Sequence, residues 1–278
     1  MDTKELHLGS TVTLRGGVEM PMLGLGVWQS AAGDETRSAV ASALAAGYRH
    51  VDTARAYSNE KDVGAAIRES GIDRSQLFVT TKLWNTDHGY GRAIRALDKS
   101  LEFLGLEQVD LYLVHWPVEG LRRETWRAME QLLADGKTRA IGVSNYTVRH
   151  LDELLAEAKV PPSVNQVEFH PFLNQRALLE YCQRHAIQLE AYGPLVRGQR
   201  MAHPVLKRIA ARHRRTAAQV LLRWGLQHGL VVIPKSVHAE RIRENSDLYG
   251  FALDAGDMDA LDHLDEGLRT CWDPTDAP

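Results

Sequence analysis

The sequence predicts a (β/α)8 barrel, a ring of parallel strands surrounded by helices, and three observations support this fold class. Eight short runs rich in β-branched and apolar residues alternate with longer stretches of helical periodicity. Near-continuous apolar strands of this kind are typical of a parallel sheet that helices cover. Eight such units fit within 278 residues, and no Pro/Gly/Ser-rich tract divides them, so we expect residues 1–278 to form one domain. A doubly wound sheet is the alternative.

An N-terminal β-hairpin is predicted before the eight repeats. The stretch TVTLRGGVEMP, residues 11–21, places Gly16 and Gly17 where a tight turn would reverse the chain. The strand candidates that follow are residues 23–28, 48–52, 77–83, 109–116, 139–145, 163–169, 187–193 and 230–235. A doubly wound dinucleotide fold would need G-x-G-x-x-G after a strand, whereas GLGVWQ at 24–29 ends in Gln and lies within one.

Amphipathic helices are predicted between these strands. Residues 34–47 begin with Asp34, a residue type that caps helix N-termini, and stop at Gly47. Thr216 is a suitable N-cap for a later helix. The helix candidates with clear boundaries are residues 34–47, 92–105, 122–136, 216–229 and 238–247. The extra helix at 238–247 and the tail at 254–278 lie beyond the eighth strand.

The composition gives no reason to expect nucleic acid or an anionic membrane as a partner. There are 33 basic and 36 acidic side chains, and the formal net charge is −3. The two cysteines, Cys182 and Cys271, form no C-x-x-C pair, and Cys182 has the setting of a small core residue in a helix. A reducing cytoplasm fits this cysteine usage. We find no apolar leader and no segment that approaches a membrane span, so we expect a soluble, cytoplasmic protein.

Polar side chains stand at the ends of seven consecutive strand candidates. In a barrel, the C-terminal ends of the strands meet at one mouth, where catalytic residues lie. Taken singly, His115 is more often a hydrogen-bonded structural histidine and Lys82 a solvated strand end, but seven polar ends at one mouth predict a site. The residues at these ends are Asp52, Lys82, His115, Ser144, Asn145, Asn165, Gln166, Tyr192 and Lys235.

Asp52 and Lys82 end neighbouring strands, and we expect them to pair, because a buried carboxylate needs a cationic partner. Tyr57 follows five residues after Asp52, and we expect the ammonium group of Lys82 to lower the pKa of its phenol. Such a tyrosine can act as a general acid, while His115 orients the same substrate oxygen. This set suits carbonyl reduction, in which negative charge develops on oxygen. Since no side chain can supply hydride, a nicotinamide cofactor is implied.

Seven motifs resemble those of the aldo-keto reductases, in that family's order and at its spacing. They are GYRHVDTARAYSNE, TKLWNTDHG, VDLYLVHWPV, AIGVSNY, VNQVEFHP, AYGPL and IPKSVHAERIREN, within residues 10–253. The sequence is most similar to the short bacterial members called 2,5-diketo-D-gluconate reductases. The resemblance implies a barrel that uses NADPH to reduce aldehydes and ketones, including sugar-derived or dicarbonyl substrates, and family habit implies a monomer.

The resemblance assigns roles to the site residues. Tyr57 would be the proton donor, tuned by Lys82 and Asp52, and His115 would orient the substrate. The residues that would bind NADPH are Ser144, Asn145, Gln166, Tyr192, Gly193, Leu195, Lys235, Ser236, Val237, Arg241, Glu244 and Asn245. Two cations and a hydroxyl among them, Lys235, Arg241 and Ser236, would hold the 2′-phosphate that NADH lacks. The alternative for Ser236 and Asn245 is that they cap the helix at 238–247.

The substrate pocket implied by the resemblance is aromatic. Core filling is the ordinary role of a single tryptophan, but three of them occupy the positions of the family's pocket walls. Arg55 and Ala56 replace two apolar residues that are usual before the tyrosine. We expect Ala56 to enlarge the pocket and Arg55 to add positive charge at its rim. The pocket residues are Trp28, Ala56, Trp84 and Trp116.

Two other function classes remain open from the sequence. Barrels of this family also serve as regulatory subunits of potassium channels, although the intact catalytic set argues against that role. A metal-dependent hydrolase is disfavoured, and no metal is expected, because the 12 histidines form no H-x-H or H-E-x-x-H pattern. The tail at 254–278 departs most from the family pattern, so Trp272 either folds over the mouth or is disordered.

Overall fold

The structure, a computed structural model, describes residues 6–277. Within that range the strands are β1 Thr11–Thr13, β2 Glu19–Pro21, β3 Leu25–Gly26, β4 His50–Asp52, β5 Phe78–Leu83, β6 Val109–Val114, β7 Thr138–Ser144, β8 Val164–Glu168, β9 Gln188–Tyr192 and β10 Val231–Val232. The helices are α1 Asp34–Ala45, α2 Glu60–Glu69, α3 Tyr90–Leu104, α4 Arg122–Ala134, α5 Val148–Glu157, α6 Arg176–Arg184, α7 Pro204–His213, α8 Ala217–Gln227, α9 Ala239–Ser246 and α10 Ala255–Asp262.

Strands β3 to β10 form one parallel sheet in chain order, and this sheet closes on itself. Its first and last strands meet through parallel bridges between Leu23 and Val232 and between Gly26 and Lys235. The backbone N–H of Gly24 donates to the carbonyl of Val232 at 3.0 Å across this seam. Closure leaves no free sheet edge, so the predicted barrel is confirmed and the doubly wound alternative is wrong.

The predicted hairpin is also confirmed, and it covers the N-terminal end of the barrel. β1 and β2 pair antiparallel, and Gly16 and Gly17 turn the chain with φ of 88° and 80°, values that side chains with a Cβ disfavour. Beyond the turn, the buried side chains of Val18 and Met20 pack in one cluster with Leu111 and Leu113 of β6. The barrel interior is therefore filled with apolar side chains at this end, and the opposite end is left for polar ones.

The helices pack around the sheet and bury its outer face. All six residues of β5 and of β6 are buried, as expected for strands covered on both faces. Some of the helix packing is close enough to require glycine. A Cβ at Gly64 of α2 would lie 2.0 Å from the backbone oxygen of Leu104, where α3 ends. The backbones of α2 and α3 are therefore in close contact at this point.

Several predicted boundaries differ in detail from the structure. The strand candidates at 23–28 and 230–235 shorten to β3 and β10, and of the residues left out only Leu23 and Lys235 pair with the ring, through isolated bridges. Asp34 is the first residue of α1 and not its N-cap, which is Gly33. The backbone N–H of Gly33 donates to the carboxylate of Asp62 in α2 at 2.8 Å.

Other boundary predictions are confirmed. Thr216 caps α8 in a reciprocal capping box with Gln219. The Thr216 hydroxyl oxygen accepts a hydrogen bond from the backbone N–H of Gln219 at 3.2 Å. The α3 helix ends one residue before Gly105, which adopts the left-handed conformation with φ of 66°. Cys182 is fully buried in α6. Among residues 6–277, no helix combines the length and the apolar character that crossing a membrane requires.

Candidate active site

A cavity of about 830 Å³ opens at the C-terminal ends of the strands. It brings together most of the residues that the sequence singled out, although they come from eight strands and the loops that follow them. The predicted residues on its wall are Trp28, Asp52, Ala56, Tyr57, Trp84, His115, Trp116, Ser144, Asn145, Gln166, Tyr192, Gly193, Leu195 and Lys235. The wall residues that the sequence did not single out as site residues include Gln29, Arg197, Ile233, Thr270, Cys271 and Trp272.

The predicted ion pair lies at the bottom of this cavity. Lys82 Nζ donates to Asp52 Oδ1 at 2.6 Å, and both side chains are buried. Nζ also donates to the backbone oxygen of Thr53 at 3.0 Å and to Tyr57 Oη at 3.4 Å. All three donors of the ammonium group are therefore used, which offsets the cost of burying it. The short 3-10 helix at 55–57, directly after β4, brings the phenol back over the lysine.

The prediction that the pKa of Tyr57 is lowered below its ordinary value is wrong. Burial raises the pKa of this phenol well above its ordinary value, and the negative charge of Asp52 raises it further. The spacing of residues in the sequence indicated that Lys82 lies near Tyr57, but it did not indicate how deeply the phenol is buried. Burial is the largest influence on the pKa of Tyr57. Tyr57 therefore holds its proton throughout the neutral range, as a proton donor must before it acts.

His115, just after β6, faces Tyr57 across the cavity floor. Its ring lies edge-on to the rings of Tyr57 and Trp84, with centroid distances of 5.7 Å and 5.2 Å. Burial, and secondarily the charge of Lys82, lower the pKa of His115 well below its ordinary value, so the imidazole is neutral. Nδ1 of this ring has no hydrogen-bond partner among residues 6–277. A neutral imidazole carries one N–H, which it can offer to an oxygen beside Tyr57.

A second polar group lies on the side of the cavity formed by β7, β8 and β9. Asn145 adopts a left-handed backbone conformation with φ of 63°, which is uncommon for a residue other than glycine. Its Nδ2 donates to the backbone oxygen of His115 at 3.0 Å, and its Oδ1 accepts from the hydroxyl of Tyr192 at 2.8 Å. Ser144 donates to the backbone oxygen of Gln166 at 2.8 Å. These bonds fix three side chains that the family resemblance associates with the nicotinamide.

Beneath this group lies a buried acid that the sequence analysis did not single out. Glu190, in β9, accepts from Gln166 Nε2 at 2.8 Å, and the same nitrogen donates to Asp52 Oδ2 at 2.8 Å. Burial, together with the neighbouring Asp52 carboxylate, raises the pKa of Glu190 to about 8. A signal for it was available, because Glu190 interrupts an apolar strand and stands two residues before Tyr192, hence on the same inward face.

The C-terminal segment crosses the rim of the cavity, held by the buried carboxylate of Glu168. Its Oε1 accepts from the backbone N–H of Thr270 at 2.8 Å and from the hydroxyl of Thr270. Oε2 accepts from the backbone N–H of Cys271 at 3.3 Å. Trp272 lies 5.7 Å from Trp116 between ring centroids, although 69% of its surface is exposed. The sequence left open whether Trp272 folds over the mouth or is disordered, and in the structure it lies at the mouth.

Arg197 is a second element of the rim that the sequence analysis missed. It donates to the backbone oxygen of Thr270 at 3.1 Å and to Gln29 Oε1 at 3.2 Å, and its guanidinium carbon lies 5.2 Å from the centroid of the Trp28 ring. By contrast, Arg55 does not add charge to the rim as expected. Its guanidinium lies 4.9 Å from the ring centroid of Phe103 in α3, away from the cavity.

Of the residues predicted for the adenosine end of a nucleotide, Lys235 is on the cavity wall and the others lie beyond it. Lys235 and Arg241 are exposed, and Arg241 is on the first turns of α9. The Ser236 hydroxyl accepts from the backbone N–H of His238 at 3.1 Å, within the turn before the helix. Ser236 is thus not the N-cap of α9, which is His238.

Three further predicted residues lie near this end. Val237 is half-buried and packs against the main core. Glu244 accepts from the hydroxyl of Thr216 at 2.7 Å, and Asn245 is buried inside α9, so Asn245 does not cap that helix. Over residues 6–277, no group of three or more His, Cys, Asp or Glu side chains is arranged to hold a metal ion.

The fold and this arrangement define the chain as an aldo-keto reductase. The model of the Aldo/keto reductase family matches residues 22–266, and the chain belongs to that family. The resemblance found in the sequence motifs is confirmed. Carbonyl-reducing oxidoreductases make up this class.

Individual relatives cover nearly the whole chain. Glyoxal reductase of Bacillus subtilis (strain 168) is 51% identical over 267 residues, which are 96% of this chain and 97% of that protein. Methylglyoxal reductase DkgA of Escherichia coli (strain K12) is 43% identical, with 95% and 97% covered. Among solved structures, MGS-M4, an aldo-keto reductase from a Medee basin deep-sea metagenome library, superposes with a TM-score of 0.93 at 43% identity, covering 96% of this chain and 99% of that one.

Proposed function

We propose that this aldo-keto reductase is an NADPH-dependent oxidoreductase that reduces aldehydes and ketones to alcohols, with Tyr57 as the general acid. The observation that carries the proposal is the position of the Tyr57 hydroxyl, 3.4 Å from a buried ammonium group that Asp52 holds in place. The hydroxyl faces an open cavity beside a neutral histidine. A protonated phenol in that setting has one evident use, the delivery of its proton to an oxygen that gains negative charge.

The residues of this chain then divide the work on the carbonyl oxygen. Tyr57 and His115 donate hydrogen bonds to that oxygen and polarise the carbonyl. When NADPH is bound, it supplies the hydride that attacks the carbonyl carbon. As charge grows on the oxygen, Tyr57 gives up its proton, and the ammonium group of Lys82 stabilises the phenolate that remains. Asp52 keeps the ammonium group in place through both stages.

Several features of the chain fit NADPH. Ser144, Asn145 and Gln166 would hold the nicotinamide carboxamide, and Tyr192 would stack beneath the ring. Gly193 and Leu195 would follow the pyrophosphate, and the adenosine end would reach the residues around α9, which are Lys235, Ser236, Val237, Arg241, Glu244 and Asn245.

The charge at the adenosine end supports the choice of NADPH over NADH. Lys235 and Arg241 form no ion pair within residues 6–277, so two cations are available to a 2′-phosphate. A phosphate dianion gains charge-assisted hydrogen bonds from such a pair, and the ribose hydroxyl of NADH gains much less.

The substrate class follows from the pocket and the relatives. Trp28, Trp84 and Trp116 give the cavity aromatic walls, and Ala56 leaves room beside Tyr57. Glyoxal and methylglyoxal reductases are among the similar proteins. We therefore infer that small dicarbonyl and sugar-derived carbonyl compounds are substrates, that residues 1–278 act as one domain, and that the protein works as a cytoplasmic monomer.

Absorbance at the NADPH band tests the function directly. Purified protein should oxidise NADPH when methylglyoxal or 4-nitrobenzaldehyde is added, and NADH should serve much less well at the same concentration. A protein that binds NADPH without turning over any of a panel of carbonyl compounds would instead fit the non-catalytic, sensor-like role known for other barrels of this family. Size-exclusion chromatography with light scattering checks the monomer.

A further inference from the structure

We propose that Glu190 is a positioning residue that fixes the orientation of the Gln166 side-chain amide, so that its carbonyl oxygen faces the cavity as a hydrogen-bond acceptor. This inference rests on the proposed function for its ligand, because the group that Oε1 would bind is the carboxamide N–H of the nicotinamide. Glu190 itself is not on the cavity wall, so it acts through Gln166.

The geometry begins with the register of the sheet. Gln166 and Glu190 are direct partners across the parallel pair β8–β9, so their side chains leave the sheet side by side into the barrel. Asp52, from β4 on the far side of the ring, reaches the same point. Gln166 Nε2 donates to Glu190 Oε2 and to Asp52 Oδ2, each at 2.8 Å.

Both hydrogens of the amide nitrogen are thereby used. A primary amide has two N–H donors on one side and a carbonyl acceptor on the other. Rotating it by half a turn would aim Oε1 at two carboxyl groups and lose both bonds in a buried place, where an unmet acceptor is costly. The flipped amide is therefore strongly disfavoured. Oε1 must point away from the two acids, toward the cavity that Gln166 lines.

Asp52 alone would not lock the amide. One carboxylate can accept one N–H and leave the group free to tilt, and Asp52 is already committed to Lys82 at 2.6 Å. Glu190 supplies the second point of attachment. No hydrogen bond to Gln166 Oε1 is present among residues 6–277, which leaves this acceptor for a ligand.

The surroundings of Glu190 suit this role in either protonation state. The ionisable groups that face it are Asp52, Lys82, Tyr57 and His50, whose Nε2 lies 3.6 Å from Glu190 Oε1. Burial raises the pKa of Glu190 to about 8, so near neutrality the acid is mainly protonated. With the proton on Oε1, the oxygen that faces Gln166 is a carbonyl and still accepts. The site then keeps one cation and one anion, Lys82 and Asp52, and no surplus negative charge.

The test compares two nucleotides that differ at the group Oε1 would bind. NADP+ has a carboxamide, whereas its 3-acetylpyridine analogue has a methyl ketone with no N–H to donate. Dissociation constants for both are measured by titration calorimetry, without any carbonyl substrate. We expect the native protein to prefer NADP+ by about fivefold to tenfold, the typical net worth of one hydrogen bond.

Three substitutions at Glu190 separate positioning from general structure. Glu190→Met removes the acceptor at similar volume, and Glu190→Asp withdraws it by one methylene. Both variants should lose most of the preference for NADP+, because the side-chain amide of Gln166 can then turn. Glu190→Gln mimics the protonated acid and should restore it. Glu60→Met and Glu60→Gln are matched controls, since Glu60 is a buried acid of α2 that bonds Thr81 at 2.7 Å and does not touch Gln166; they should keep the native preference.

The outcomes are distinct. Glu190→Met and Glu190→Asp proteins that bind NADP+ with the native preference would overturn the positioning role. Should Glu190→Met not fold, Glu190→Asp against Glu190→Gln decides the question alone. A native protein that binds neither nucleotide would overturn the proposed function instead, and the two failures are therefore told apart.

Discussion

The floor and the rim of the cavity are held together in different ways. On the floor, Asp52, Lys82 and Gln166 leave the ends of strands whose register the closed sheet fixes, and Asp52 accepts a hydrogen bond from each of the other two. The rim consists of three loops that are far apart in the chain, joined by Arg197 and by the bonds of Glu168 to Thr270.

This difference has energetic consequences. Charges on the floor are buried and mutually dependent, so the removal of one leaves another unpaired in a medium that cannot solvate it. At the rim, the contacts of Arg197 and Trp272 are exposed and involve few partners, so each can be lost nearly independently. We therefore expect large, coupled effects from substitutions on the floor and small, selective effects at the rim.

Lys82→Met should have the largest effect, because it leaves the Asp52 carboxylate buried without a cation. The free energy of unfolding should fall by about 3–5 kcal/mol, and reductase turnover should fall at least a hundredfold. Urea denaturation and NADPH oxidation measure the two. Lys137→Met is the control, since it breaks a half-exposed pair with Asp98 and should cost about 1 kcal/mol or less. Similar losses in both variants would contradict the coupled floor.

Arg241→Ala tests a site outside both regions, at the adenosine end. Loss of a cation that binds the 2′-phosphate should weaken NADPH binding by about 10- to 100-fold and leave NADH binding nearly unchanged. Fluorescence titration of each nucleotide measures this. Arg243→Ala, an exposed arginine of the same helix, should change neither affinity. Equal weakening for NADPH and NADH in Arg241→Ala would remove the phosphate-binding role.

The pH dependence of stability should reveal the raised pKa of Glu190. Between the ordinary value of 4.5 and about 8, the unfolded chain has lost this proton while the folded protein keeps it. The contribution of Glu190 to stability is therefore full at acid pH and is lost as pH rises toward 8. Relative to native protein, Glu190→Gln should gain up to about 1.4 kcal/mol per pH unit across this window. Urea denaturation at pH 6, 7 and 8 measures the difference, and a constant difference would contradict the raised pKa.

Trp272→Ala should have the smallest effect, confined to the rim. Loss of the ring beside Trp116 should raise KM for an aromatic aldehyde by about two- to fivefold and leave kcat and KM for methylglyoxal unchanged. Tyr90→Ala removes a partly exposed aromatic residue away from the cavity and serves as the control. A fall in kcat for methylglyoxal would mean that rim and floor are coupled after all.

The same division explains how far the sequence alone could lead. Strand ends in a barrel converge because each repeat is local, so Asp52, Lys82 and His115 could be grouped from their positions in the chain. The bonds of Glu168 to Thr270 span 102 residues and leave no local pattern, so the rim could not be derived. Glu190 has a local signal, an acid in an apolar strand, but its partners Gln166 and Asp52 lie on other strands. The shift of the Tyr57 pKa was predicted in the wrong direction, because the burial that raises it depends on the packing of the whole protein.

Kinetics of Tyr57→Phe test the central claim most directly, because the substitution removes one oxygen and keeps the ring. With methylglyoxal as substrate, we expect turnover to fall by about a hundredfold or more. The dissociation constant for NADPH should stay within about twofold of the native value, because a substitution that removes no contact with the nucleotide changes the binding free energy by only a few tenths of a kcal/mol. Turnover that remains near the native rate, with NADPH bound as before, would show that the proton comes from another group and would contradict the account.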